Sequence, residues 1–123
     1  MIAKKFRFHG YGSLKFAYSK GRSSRAQFLS LKYIANERRK DSRLAVVVSK
    51  KISKKAPVRN RIRRRLYEAV RLQWADIAPG TDMVISVFDE RVGTLPAAEL
   101  TKLVDDLLRP TRLHKADKET DNS

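Results

Sequence analysis

The 123-residue chain contains no cysteine, two histidines and one tryptophan. Without cysteine it has no disulfide framework, no thiolate metal site and no cysteine nucleophile. No apolar run approaches the roughly 18 residues that a transmembrane helix requires, and no apolar block of the signal-peptide kind follows Met1. These absences favour a cytoplasmic protein, and the length favours a single domain.

Residues able to perform chemistry are also scarce. His9 and His114 lie near opposite ends of the chain, in segments with little predicted structure. A catalytic triad or a metal cluster needs convergent groups on rigid elements, and the sequence has no glycine-rich phosphate loop after a strand. The neighbouring acids Asp105 and Asp106 point about 100° apart on a helix, so they do not form a carboxylate pair. We expect no catalytic residue in the protein.

Acidic residues are rare in the first part of the chain. Residues 1–67 hold 21 Lys and Arg but only two acids, whereas residues 68–123 hold seven basic and eleven acidic residues. The whole chain has a net charge of +15 and a pI near 10.6. Such a one-sided charge predicts a polyanionic partner. The basic run lacks the bulky apolar face of an interfacial helix, so nucleic acid is favoured over a membrane surface.

The hydrophobic pattern predicts an α+β fold. Apolar and β-branched segments predict strands over residues 26–35, 43–49 and 82–89, with a hairpin loop at 36–42. Helices are predicted over 14–20, from Pro57 to about Trp74 and from Pro96 to Pro110. The expected architecture is one small α/β sandwich, an approximately four-stranded sheet with helices packed on it. It spans residues 1–113, and the polar tail 114–123 is predicted to be disordered.

The predicted middle helix combines an apolar stripe with an unusual basic run. The stripe consists of Val58, Ile62, Leu66, Ala69 and Val70. From Lys50 to Arg65 there are nine basic residues and no acid. A solubilising face normally alternates both signs, so this run favours a binding surface.

Helical geometry predicts where the basic side chains lie relative to the apolar stripe. Residues four apart stack on a helix, so the pairs Arg59/Arg63, Asn60/Arg64 and Arg61/Arg65 flank the stripe. Their guanidinium forks are then available to phosphates. Asn60 is open to three roles: a helix cap, a phosphate ligand or a ligand of a hydrated metal ion.

One motif in this region resembles a known signature. The segment Ser49-Lys50-Lys51, followed by Val58-Arg59-Asn60-Arg61-Ile62-Arg63-Arg64, is similar to that of the bacterial ribonuclease P protein subunit. The piece LKFAYSKGR at 14–22 and the strand at 82–88 with its closing helix stand in that family's order, so the resemblance covers most of the chain. It implies a left-handed βαβ crossover, against the general right-handed rule.

The resemblance also implies a function. The family's protein binds a catalytic RNA and the 5′ leader of precursor tRNA, and assists endonucleolytic removal of that leader. Catalysis then belongs to the RNA subunit, with Mg²⁺ bound chiefly by that RNA, in a heterodimeric protein–RNA complex without membrane contact. The implied catalytic-RNA-binding residues are Lys50, Lys51, Lys54, Lys55, Arg59, Asn60, Arg61, Arg63 and Arg64. The implied leader-binding cleft comprises Tyr18, Phe28, Tyr33, Arg63 and Tyr67, and strand alternation places only one of Phe28 and Tyr33 on the cleft side.

Two other functions fit parts of the pattern. A structural RNA-binding protein of the ribosomal type, with no role in cleavage, has the same small size, high pI and arginine-rich helix. A helix-turn-helix DNA-binding protein fits less well, because a strand and a loop precede the basic helix. Cleavage of precursor tRNA at low magnesium by the cognate RNA, with and without the protein, separates the first alternative from the ribonuclease P interpretation.

Overall fold

Four apolar segments form one mixed β-sheet. The computed structural model describes residues 21–35 and 41–111, so the predicted first helix, both histidines, Tyr18 and the polar tail lie outside the described residues. The strands are β1 (Arg22–Ala26), β2 (Leu29–Ala35), β3 (Arg43–Val47) and β4 (Thr81–Val87). Their order is β1-β2-β4-β3, with β3 parallel to β4 and the other neighbours antiparallel.

The first two strands form a tight hairpin where one strand was predicted. Gln27 and Phe28 make the turn, and Phe28 has a φ of 69°, in the left-handed region that a bulky residue rarely adopts. The backbone N–H of Phe88 donates to the Phe28 carbonyl oxygen at 2.8 Å and fixes this turn against the end of β4. The predicted strand over 26–35 is therefore wrong at its start, because the chain reverses at Phe28.

The predicted hairpin at 36–42 is also wrong. Strands β2 and β3 are not neighbours, because β4 lies between them and pairs with both. Six of the seven residues of β4 are buried, and a strand that is buried on both faces is most stable in the interior of a sheet. The connection from β2 to β3 therefore passes across one strand position.

Two helices cover one face of the sheet. Helix α1 (Ala56–Arg71) connects β3 to β4 and has Pro57 in its first turn, as predicted. Helix α2 (Ala97–Leu108) follows β4 through a short 3-10 turn, Glu90–Gly93. Both helices and the inward side chains of the strands form one core cluster. These features confirm the predicted α/β sandwich, whereas the handedness of the β3-α1-β4 crossover stays a prediction.

The strand register aligns the core side chains in rows. Leu31 of β2 pairs with Ile85 of β4, which in turn pairs with Val46 of β3. The predicted stripe of α1 lies over these rows, with Ile62, Leu66 and Val70 fully buried. Each fully buried aliphatic side chain contributes about 1.5–3 kcal/mol, so this packing fixes the orientation of α1 around its axis.

An ion pair lies on the opposite face of the sheet. Arg43 donates to both carboxylate oxygens of Asp82, at 2.9 and 2.8 Å. Asp82 is only 4% exposed, and Val84 beside it is fully buried. The bidentate geometry joins β3 to β4 at their first paired position, Arg43 and Asp82 themselves.

Candidate nucleic-acid interface

The basic run divides between a loop and the first half of α1. The loop carries four exposed lysines, and the helix carries exposed polar side chains between its buried positions. We use the term basic surface for the exposed members of this run, which are Lys50, Lys51, Lys54, Lys55, Asn60, Arg61 and Arg64. All seven belong to the residues that the resemblance implied for RNA binding.

Backbone contacts hold the loop in place beneath its lysines. The N–H of Ile52 donates to the Ser49 carbonyl at 3.1 Å, and the N–H of Lys55 donates to the Ser53 hydroxyl at 3.3 Å. Arg59 Nη1 donates to the Ser53 carbonyl at 2.9 Å, and Ser53 itself is buried. The loop is therefore attached to α1, and its lysines project from a fixed backbone.

The arginines of α1 differ in exposure because the core fixes the rotation of the helix. Arg61 and Arg64 are exposed and make no hydrogen bond or ion pair to the residues that the structure describes. Arg59 and Arg63 are half-buried, and Arg63 Nη1 donates to Asn60 Oδ1 at 2.8 Å. Two guanidinium groups that are unpaired among the described residues thus face solvent, while two others lie along the margin of the basic surface.

Arg65 does not point toward solvent as the flanking pattern predicted. Its Nη1 donates to the Val92 carbonyl at 2.7 Å, and its Nη2 donates to the Leu95 carbonyl. Val92 lies in the 3-10 turn between β4 and α2, and Leu95 follows that turn. Arg65 is thus a structural arginine that attaches α1 to this turn.

Near the end of α1, an acidic residue compensates the positive charge. Arg71 donates to the carboxylate of Glu68 and forms an ion pair with it. This hydrogen bond lowers the pKa of Glu68 from its ordinary value of 4.5 to about 2. Glu68 therefore remains ionised at neutral pH and compensates Arg71, so the uncompensated charge of the helix lies before Glu68.

The predicted leader-cleft residues occupy different depths. Phe28 and Tyr33 are half-buried, and both pack against the same core cluster. Phe28 lies in the turn before β2 rather than within a strand, so strand alternation does not decide between Phe28 and Tyr33. Tyr67 is 9% exposed and belongs to the core itself, so its ring supports α1 from beneath the surface. Arg63 is half-buried on the same helix, one turn before Tyr67.

Two further properties concern metals and membranes. Within residues 21–35 and 41–111, no three His, Cys, Asp or Glu side chains come together as candidate metal ligands. The amide oxygen of Asn60 accepts from Arg63, and a metal role for Asn60 stays a prediction. No helix in the described part of the chain is long and apolar enough to cross a bilayer.

The sequence pattern missed one cationic group near the basic surface. A groove of about 620 Å³ separates the lysine loop from the 3-10 turn, and Arg91 lines its far wall. Arg91 lies 26 positions beyond the basic run and directly follows two acids, Asp89 and Glu90. No local signal marks it, because only the fold brings the turn opposite the loop.

The fold and the site together define a class: a small α+β protein with a preorganised cationic surface on one helix and the loop before it. Comparisons with known proteins agree with this class. The family model described as Ribonuclease P matches residues 2–112. The Ribonuclease P protein component of Roseiflexus castenholzii is 43% identical over 89 residues, which cover 72% of this chain and 71% of that protein. The one from Synechocystis sp. is 30% identical over 92 residues, or 75% and 74% of the two chains.

Solved structures agree with the fold. The RNase P protein of Staphylococcus aureus aligns with a TM-score of 0.75 at 20% identity, covering 85% of this chain and 94% of the other. The protein from Thermotoga maritima aligns with a TM-score of 0.74 at 21% identity, covering 85% and 96%. The chain belongs to the ribonuclease P family, the protein components of a ribonucleoprotein endoribonuclease of tRNA processing.

Proposed function

We propose that this chain binds the catalytic RNA of ribonuclease P through its basic surface and assists that RNA in removing the 5′ leader of precursor tRNA. One observation carries the proposal: Arg61 lines a groove with four exposed lysines, Arg64 is exposed on the same helix, and neither arginine forms an ion pair with the described residues. Unpaired cations repel one another unless a polyanion neutralises them. A phosphodiester backbone supplies that charge at regular intervals.

The division of the arginines assigns their roles. Arg61 and Arg64 offer free guanidinium forks, which suit phosphate oxygens. Asn60 and Arg63 are joined by a hydrogen bond and act as one unit at the margin, and Arg59 keeps the lysine loop in place. Lys50, Lys51, Lys54 and Lys55 extend the same surface as point charges.

The leader contact is proposed for aromatic side chains at the edge of the core. Phe28 and Tyr33 are half-buried, so each ring packs partly on the core and stays partly exposed, and the Arg91 guanidinium lies over the Phe28 ring. Stacking on such rings holds a single strand without sequence preference and contributes about 1–3 kcal/mol per base. Arg63 supplies a cation on α1, and Tyr67 supports that helix from the core.

In this proposal the chemistry belongs to the RNA. The bond cleaved is a phosphodiester, and the magnesium ions that this hydrolysis requires are bound chiefly by the catalytic RNA. The protein supplies cations that bring two polyanions together and a surface that orients the leader. The assembly is a heterodimer of one protein and one RNA in the cytoplasm.

Cleavage of precursor tRNA at low magnesium tests the proposal. The cognate RNA is assayed alone, with the protein, and with the double variant Arg61→Gln, Arg64→Gln. We expect the protein to raise the cleavage rate and the double variant to lose most of that gain. Arg71→Gln is the matched control, because it removes one charge from the same helix outside the basic surface. No stimulation by the unmodified protein would instead favour a structural RNA-binding protein.

A further inference from the structure

A groove runs beside the basic surface and has cations on both of its walls. One wall is the loop Lys50–Lys55, and the other is the segment Glu90–Thr94. Six basic side chains line the groove, and Glu90 is its only acid within the described part of the chain. The six are Lys50, Lys51, Lys54, Lys55, Arg61 and Arg91.

Both walls are attached to α1, so their separation is set by the folded protein. Arg59 reaches the Ser53 carbonyl in the loop at 2.9 Å, and Arg65 reaches the Val92 carbonyl in the turn at 2.7 Å. Gly93 allows the turn to pack closely, because an added Cβ would lie 3.1 Å from Ile62 Cγ1. The groove thus needs no ordering of its backbone when a ligand enters, which lowers the cost of binding.

Arg91 is oriented before any ligand binds. Its Nε and Nη2 donate to the carboxylate of Asp89 at 2.8–3.1 Å, and its guanidinium carbon lies 4.8 Å from the centroid of the Phe28 ring. Its side chain is still 68% exposed. A guanidinium has five N–H donors, and these contacts leave both donors on Nη1 available. Arg91 can therefore bind an anion while it remains attached to Asp89.

The lining selects the kind of ligand. Among the described residues no aromatic side chain lines the groove, and its apolar floor is limited to Ile52 and Val58. These residues offer phosphate contact rather than base stacking. The groove also shares five of its six cations with the basic surface, which we assign to the catalytic RNA.

We infer that this groove binds one strand of the phosphodiester backbone of the catalytic RNA, held from both walls, with Arg91 as a phosphate ligand outside the basic run. The inference rests on the proposed function and adds a second contact between the protein and the catalytic RNA. It assigns Arg91 and Glu90 opposite effects on RNA affinity, since one attracts the backbone and the other repels it.

Matched arginine variants test the inference in the full-length protein. Arg91→Gln and Arg109→Gln each remove an exposed arginine, 68% and 69% exposed, that pairs with a carboxylate at 2.8 Å. We expect Arg91→Gln to weaken binding of the catalytic RNA about fivefold and to reduce the log–log salt slope by about 0.7, the loss of one contact. Arg109→Gln leaves both values unchanged, because Asp106 and Arg109 lie on and just after α2, away from the groove lining.

A second pair of variants tests the opposite sign and does not depend on Arg91. Glu90→Gln removes the acid of the groove and should tighten RNA binding about threefold, through loss of a repulsion that salt screens. Glu99→Gln removes an exposed acid of α2 outside the groove and should leave the affinity unchanged.

The outcomes separate this inference from the proposed function. If Arg91→Gln matches Arg109→Gln, and Glu90→Gln matches Glu99→Gln, the groove is not an RNA site, even where the Arg61, Arg64 variant loses affinity. If Arg91→Gln weakens only precursor tRNA with a leader, the groove belongs to the substrate and the inference is wrong. If the Arg61, Arg64 variant also binds the catalytic RNA normally, the proposed function itself fails.

Discussion

Arg65 donates a hydrogen bond to the carbonyl oxygen of Val92 at 2.7 Å and joins two residues that are 27 positions apart. The same guanidinium reaches the Leu95 carbonyl. Within a run of nine basic residues, Arg65 therefore stabilises the folded structure, whereas the exposed Arg61 and Arg64 can contact a ligand. The contrast between neighbours in sequence is a direct consequence of the helix rotation that Ile62 and Leu66 impose.

Replacement of Arg65 should reduce stability more than replacement of Arg64. A hydrogen bond to a charged group contributes about 1.5–3 kcal/mol, so we expect Arg65→Gln to lower the free energy of unfolding by about 2 kcal/mol. Arg64→Gln, at an exposed position without an ion pair to the described residues, should change it by about 0.5 kcal/mol or less. Urea unfolding followed by circular dichroism measures both values. Equal effects would mean that the Arg65 contacts do not stabilise the fold.

The salt dependence of RNA binding should report the number of phosphate contacts. Six contacts at about −0.7 each give a log–log slope near −4. The double variant Arg61→Gln, Arg64→Gln should reduce its magnitude by about 1.4, the loss of two contacts. Arg71→Gln should not change the slope, because Glu68 already compensates that charge. An affinity that does not depend on salt contradicts the phosphate-binding account.

The buried ion pair on the face of the sheet opposite α1 and α2 should be sensitive to loss of one partner. Asp82 is 4% exposed, and Arg43 binds it with two hydrogen bonds. Asp82→Ala leaves a poorly hydrated guanidinium and should cost about 3–5 kcal/mol. Asp106→Ala breaks the exposed pair with Arg109 and should cost about 1 kcal/mol or less. Thermal unfolding measures the stability of both variants. A similar loss for both would mean that burial does not make the Arg43–Asp82 pair more important than the exposed pair.

The pair Glu68–Arg71 should contribute a pH-dependent part of the stability. The pKa of Glu68 is lowered to about 2 by its hydrogen bond to Arg71. Since the folded-state pKa is below the ordinary 4.5, the stabilisation is present above pH 4.5 and is lost as the pH falls toward 2. The stability difference between the unmodified protein and Glu68→Gln should therefore shrink between pH 5 and pH 2.5. It should also shrink in 1 M salt, since the pair is exposed. A difference that stays constant over this pH range contradicts the assignment.

Local patterns predicted the elements that bury a continuous apolar face. Helix α1 followed from the spacing of Ile62, Leu66 and Val70 behind Pro57, and β4 followed from its apolar middle. Strand β1, with the sequence RSSRA, has no such signal, because backbone pairing with β2 rather than an apolar face makes it a strand. The position of β4 between β2 and β3 is likewise a property of non-local pairing.

The candidate site shows the same limit. The exposed lysines and the arginines of α1 were predictable from charge and helical spacing. The inward turn of Arg65 was not, since its acceptors are backbone carbonyls 27 and 30 positions away. Arg91 was not predictable either, because its acidic neighbours in sequence hide a residue that the fold places opposite the lysine loop.

A ring substitution at Tyr33 should separate leader recognition from general RNA affinity. Tyr33 is half-buried at the core edge of β2, so Tyr33→Phe keeps the ring and Tyr33→Leu removes it with an apolar side chain in its place. Loss of one stacked base at the lower end of about 1–3 kcal/mol predicts roughly tenfold weaker binding of precursor tRNA for Tyr33→Leu. Tyr33→Phe should bind as the unmodified protein does. The affinity of mature tRNA, which has no leader, should be the same for all three proteins, as measured with the assembled ribonucleoprotein. If Tyr33→Leu weakens precursor and mature tRNA equally, its ring does not contact the leader, and the substrate contact must be sought on another side chain.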